Sequence, residues 1–252
     1  MRVGRRVVRD EASVDSETSR SPWLPRRTFP EPACASAVYS DMNLAPTDQD
    51  LLLVIDVQND FLPGGALAVP DGHAIVPLVN SLARRFQHVA LTQDWHPPGH
   101  LSFASSHAGK TPFSQTHLHY GPQMLWPDHC VQGTPGAEFA PGLDIAHAQL
   151  VVRKGYRGGI DSYSAFLEAD RRTSTGLAGY LRERGFRRLF MVGLATDFCV
   201  AWSAVDARRA GFDVVVIEDA CRAIDTQGSL AAAWKQMREA RTERASVSAW
   251  LG

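Results

Sequence analysis

No polar residue interrupts LLLVI (51–55), and the run ends at Asp56. A strand with one solvated face alternates apolar and polar residues, so a continuous apolar run belongs to a strand covered on both faces. That requirement constrains the fold more than any other feature, because something must pack on each side of the sheet. HVALTQD (88–94), QLVVRK (149–154), FRRLFMVGL (186–194) and FDVVVIED (212–219) read as further strands, with a weak last strand around ASVSAW (245–250). Between them HAIVPLVNSLARRF (73–86), TGLAGYLRERG (175–185), FCVAWSAVDARRAG (198–211) and SLAAAWKQMREA (229–240) carry apolar residues at helical spacing, two of them closed by Gly185 and Gly211. Strands separated by helices build βαβ units. The expectation is a single α/β domain with a doubly wound, mostly parallel sheet and helices on both faces.

Three of these strands run directly into a reactive group: Asp56, Lys154 and, after LATDF, Cys199. Parallel strands bring such residues to one rim of the sheet. Each has a plainer reading alone: Asp56 as a turn residue, Lys154 as a solvated strand end, Cys199 as an inert buried thiol. Taken jointly they predict a nucleophile with its activators. Cys199 falls in the first turn of a predicted helix, where the dipole and a nearby ammonium favour thiolate. Thr196 and Asp197 are expected to cap that helix.

The stretch from 95 to about 148 is too long for an ordinary βα connection, and loops of that length inside a domain are usually functional or disordered. It carries Trp95, Phe103, Phe113, Tyr120, Trp126 and Phe139, which is unlike disorder, and seven of the nine histidines. Asp94 and His96 are two residues apart at a strand end, so their side chains point the same way. Carboxylate plus imidazole suits one divalent ion such as Zn, Fe or Mn, with a third ligand from elsewhere in the loop. His107, His117, His119 and His147 read as loop histidines.

Composition narrows the classes. A net charge of −1 gives no reason to expect nucleic acid or a membrane surface as partner. No apolar run approaches the roughly 20 residues of a membrane span. Cysteines 34, 130, 199 and 221 include no CxxC pair, which fits free thiols in the cytoplasm, with Cys130 and Cys221 read as packing residues. Residues 1–48 mix charges, prolines and serines, predicting a poorly structured arm ahead of a folded domain at 49–252. An over-long start, with Met42 as the natural one, is the alternative. The oligomeric state is left open, a homo-oligomer included.

IDVQNDF (55–61), TQDWHPPGH (92–100), WPDHCVQGTPGAEF (126–139), VVRKG (151–155), GLATDFC (193–199) and the closing RTERASV (241–247) resemble, in order, the motifs of the nicotinamidase/pyrazinamidase family, which belongs to the isochorismatase-like cysteine hydrolases. The resemblance implies that Cys199 is the nucleophile, Asp56 its proton acceptor and Lys154 the third triad member. It implies metal ligation by Asp94, His96 and His129, with His100 the candidate for a fourth ligand used by some members. Phe61 and Trp126 match the aromatic walls around a pyridine ring. Leu194 is assigned to the substrate site, and Leu194–Ala195 matches a cis peptide that aims the N–H groups of Ala195 and Cys199 as an oxyanion hole. The implied reaction is metal-dependent hydrolysis of nicotinamide to nicotinate and ammonia in NAD salvage, with pyrazinamide as a further substrate. The alternatives are a metal-free cysteine amidohydrolase acting on a carbamoyl or ureido substrate, or a non-catalytic binding protein on the same fold.

Overall fold

The computed structural model describes residues 45–144 and 146–248. The expected N-terminal arm therefore lies, apart from residues 45–48, outside the described residues. In chain order the elements are β1 (Asp50–Ile55), α1 (Val76–Ala83), β2 (Val89–Asp94), β3 (Gln115–Leu118), β4 (Gly121–Met124), β5 (Leu150–Lys154), α2 (Leu177–Glu183), β6 (Arg188–Leu194), α3 (Ala201–Arg209), β7 (Asp213–Arg222), α4 (Ser229–Glu239) and β8 (Glu243–Ala245). Six strands form one sheet in the order β5-β2-β1-β6-β7-β8, and every pairing in it is parallel. Among the described residues no helix is long and apolar enough to cross a membrane.

Every residue of β1 and β2, and all but the first of β6, is buried. Successive side chains of a strand face opposite ways, so both faces of the sheet are covered, as the apolar run of β1 requires. The last strand lies earlier than ASVSAW suggests: β8 is Glu243–Ala245, paired with β7 at the sheet edge. The long stretch after β2 folds a small antiparallel hairpin, β3–β4.

From β1 the chain adds β2 and then β5 on one side, and returns to place β6 on the other side of β1. The order thus reverses at β1, and the crevice at the carboxyl ends of the strands around such a reversal is where open α/β sheets bind ligands. The approach of β6 to β1 there is close. A Cβ on Gly193, at φ +124°, would lie 2.0 Å from the Ile55 carbonyl oxygen, so only glycine fits.

Candidate active site

Lys154 is the hub of that crevice. It ends β5 in register with Asp94, which ends β2, so the two side chains leave neighbouring strands together. Its ammonium is fully buried, 2.8 Å from Asp56 Oδ2 and 3.0 Å from Asp94 Oδ1. It also donates to the Ser162 carbonyl at 2.9 Å and lies 3.4 Å from Cys199 Sγ. Burial alone would lower the lysine pKa, but the charges of Asp56 and Asp94 overcome it and hold it well above the ordinary value. Lys154 is a cation on which the thiol, the acid and a metal-ligand candidate converge.

Asp56 follows β1 with φ +48°, a left-handed conformation that aspartate tolerates better than most residues. The Thr92 hydroxyl donates to Asp56 Oδ1 at 2.6 Å and accepts the Asp56 N–H at 3.2 Å. Oδ2 lies beside the ammonium without the alignment of a hydrogen bond, which leaves acceptor capacity on the side of the thiol. Burial raises the Asp56 pKa; Lys154 opposes this and Asp94 adds to it, with a net upward shift. Asp56 is thus a stronger base than an ordinary aspartate, as accepting a thiol proton requires.

Cys199 departs from the expected activated thiolate. Its segment, Thr196–Val200, is one π-helical turn ahead of α3. Burial drives the thiol pKa well above its ordinary value. Lys154 draws it down, but Asp56 and Asp94 push it further up. The resting sulfur is a thiol, so attack needs a base. Nor do Thr196 and Asp197 cap the turn, which has no side-chain cap. Asp197 instead accepts from the N–H groups of Ile224 and Asp225 and from the Ser229 hydroxyl, tying the loop after β7 to the segment that carries the thiol.

Asp94, His96 and His129 are buried with ligand-capable atoms all within 4.8 Å of one another. His129 reaches the cluster because its loop pairs with residue 96: the His96 N–H donates to Cys130 O and the Gln132 N–H to His96 O. The Nδ1 atoms of His96 and His129 sit 2.9 and 2.8 Å from the carbonyls of Gly155 and Pro127, so both carry their protons there. The Nε2 atoms are thereby aimed at Asp94 Oδ2, at 3.2 and 3.5 Å, where either a proton or a metal ion can sit between ring and carboxylate. Burial opposes ionisation of Asp94, yet His96 and Lys154 hold its pKa well below the usual value. One carboxylate and two oriented imidazoles fit a divalent metal. Gly155 leaves room for this: a Cβ there would lie 2.4 Å from His96 Cε1.

His100 stands behind His96, with ring centroids 4.3 Å apart. Its Nδ1 meets Ser102 Oγ at 2.7 Å and its Nε2 faces the carbonyls of Arg157 and Ile160 at 3.0 and 3.2 Å, so it braces the loop after β5.

A cavity opens over the thiol and the metal-ligand candidates, lined by Phe61 and Trp126 and by Tyr163, Phe198, Leu67 and Ile224. The Trp126 indole N–H donates to Tyr163 Oη at 2.9 Å, and its ring meets Phe198 edge-on. Leu194 does not line the cavity; its buried side chain packs toward Gly72. Its peptide to Ala195 is cis, and Ala195 and Cys199 both line the cavity. Sequence reasoning missed Thr92 and Gln58, whose amide donates to Asp94 O and accepts the Asp94 N–H. Both sit two residues from a site aspartate, which was the available signal.

An isochorismatase domain model matches residues 50–248. A nicotinamidase from Acinetobacter baylyi is 55% identical over 206 residues, covering 82% of this chain and 96% of the relative. A solved nicotinamidase/pyrazinamidase from Acinetobacter baumanii is 54% identical with a TM-score of 0.80, over 81% of this chain and 99% of that one. The Pyrococcus horikoshii pyrazinamidase in complex with zinc is 34% identical with a TM-score of 0.64, over 79% and 99% of the two chains.

Proposed function

The chain belongs to the isochorismatase domain family, and on that premise we propose that it is a nicotinamidase that hydrolyses nicotinamide to nicotinate and ammonia and also accepts pyrazinamide. The observation that carries this reading is Lys154, which touches Asp56, Cys199 and Asp94 at once. A thiol triad and a metal-ligand cluster so joined, under an aromatic-lined cavity, suit a flat ring with an amide on one side and a metal-binding nitrogen on the other.

Asp56 accepts the Cys199 proton, and the thiolate, stabilised by the Lys154 charge, attacks the carboxamide carbon. The oxyanion develops toward the N–H groups of Ala195 and Cys199; one such donor is typically worth about 10²–10³ in rate. Asp56 returns its proton to the departing ammonia, leaving a thioester on Cys199. It then takes a proton from the attacking water and delivers it to the sulfur as the carboxylic acid leaves, restoring the thiol, and the acid gives its own proton to solvent or ammonia to become nicotinate. Lys154 stays protonated throughout. A zinc, iron or manganese ion held by Asp94, His96 and His129 would supply a Lewis-acid position for the ring nitrogen and so act as a template. Phe61 and Trp126 hold the ring. The three free, buried thiols at 130, 199 and 221 support a cytoplasmic enzyme.

The test is ammonia release from nicotinamide by the metal-loaded protein, with Cys199→Ala alongside. Turnover that vanishes in the variant is expected; equal turnover in both would remove Cys199 from the reaction. No turnover of nicotinamide or pyrazinamide would remove the substrate assignment.

A further inference from the structure

Asp161 is a buried carboxylate that the reaction above leaves unused, yet it lines the same cavity as Cys199 and Asp94. Among the described residues it has no ion-pair partner. Its oxygens are held by neutral donors, the Ser162 N–H on Oδ1 at 2.8 Å and the Gln123 amide on Oδ2 at 2.6 Å. Gln123 is itself buried and fixed at its other end by the Tyr120 hydroxyl, 3.0 Å from Oε1. Both carboxylate oxygens are thus used as acceptors and fixed in place. A buried charge without a countercharge is costly, and here the structure holds one rigidly in place.

The missing countercharge is close by. Ligand-capable atoms of Asp161, His96 and His100 lie within 4.8 Å of one another, and His96 is one of the three residues suited to hold the metal. With a divalent ion bound, Asp94 and Asp161 together cancel its charge, Asp56 and Lys154 cancel each other, and the thiol and imidazoles are neutral. The loaded cavity carries no net charge. Resting on the nicotinamidase reading, we infer that Asp161 sets charge selectivity: it lets the cavity accept a neutral pyridine carboxamide and disfavours the anionic carboxylate that the reaction makes. Without Asp161 the same cavity would be a cationic trap for its own product.

The test is Asp161→Asn, which keeps an acceptor for Ser162 or Gln123 but removes the charge. Nicotinate Kd by calorimetry and nicotinamide KM are measured on zinc-loaded protein, with zinc content at matched free zinc. At an effective dielectric of about 20–40, one unit charge several ångströms from another is worth about tenfold or more in binding. The ratio of nicotinate Kd to nicotinamide KM should therefore fall about tenfold or more while zinc stays bound. An unchanged ratio would overturn the proposal, and so would loss of zinc, which would make Asp161 a ligand instead. Should the variant not fold, the unaltered protein supplies a second measurement. It should bind the neutral 3-pyridinemethanol more tightly than nicotinate, and the reverse order would refute the inference. Failure of the nicotinamidase reading is distinguishable, because it would appear as absent turnover in the unaltered enzyme, whereas the two dissociation constants do not depend on turnover.

Discussion

Replacing Lys154 by methionine removes a group that touches both halves of the site. The side chain is fully buried, and its ammonium faces Asp56 at 2.8 Å and Asp94 at 3.0 Å. Methionine is close in length and apolar, so packing is largely kept while two buried carboxylates lose their shared cation. Breaking a buried pair on one side costs about 3–5 kcal/mol, because the remaining charge is left uncompensated. For a folded region near 200 residues each kcal/mol moves Tm by about 2–4 °C, so metal-free Lys154→Met should melt about 6–20 °C lower. Added zinc should then recover more stability in the variant than it adds to the unaltered protein, since the ion becomes the cation beside Asp94. The assay is thermal denaturation with and without zinc, followed by ammonia release. A Tm within about 2 °C of the unaltered protein would mean that Asp56 and Asp94 are not both ionised around Lys154, and the hub role would fail.

Cys199→Ala should reduce turnover by about 10⁴-fold or more while leaving zinc content near one equivalent, read by metal analysis. Gly155→Ala should displace His96, whose Cε1 would lie 2.4 Å from the new Cβ, and lower zinc affinity about 10–100-fold in chelator competition. At the other end of the sheet, Asp50 accepts a two-pronged hydrogen bond from Arg188, at 3.0 and 2.7 Å. Burial would raise the Asp50 pKa, but Arg188 and Thr47 bring it below 3.8. A folded pKa below the unfolded one gives stability that is full above about pH 4 and lost as pH falls through the folded value. Arg188 is about a fifth exposed, so water screens the pair, and Asp50→Asn should cost about 1 kcal/mol at pH 7. The difference in urea denaturation should shrink as pH falls below about 4 and through the folded value, and a constant one would contradict the ion pair.

The sheet was legible because β1 and β6 are almost wholly apolar and strand ends carry reactive groups to one rim, whereas β2 buries the polar Thr92, Gln93 and Asp94 as well. Strand register was not legible, and register decides that Lys154 meets Asp94 as well as Asp56 and Cys199. The thiol's resting state does not follow from its helix position, because in a pocket this buried, burial outweighs the help of one ammonium. Asp197 looked like a cap from its place before the helix, but its acceptors serve a loop 27–32 residues away, a partnership that no local pattern encodes. The link of Gln123 to Asp161 is hidden for the same reason, because it joins a hairpin to a loop 38 residues on.

The central claim, that the thiol triad and the Asp94–His96–His129 cluster act as one site, is tested most directly by titrating metal-free protein with zinc while following ammonia release from nicotinamide. Activity should be near background without metal and rise linearly to a plateau at one ion per chain. In His129→Ala the plateau should be reached only at much higher free zinc. Full activity in protein shown by metal analysis to hold no ion would contradict the account and favour a metal-free thiol amidohydrolase.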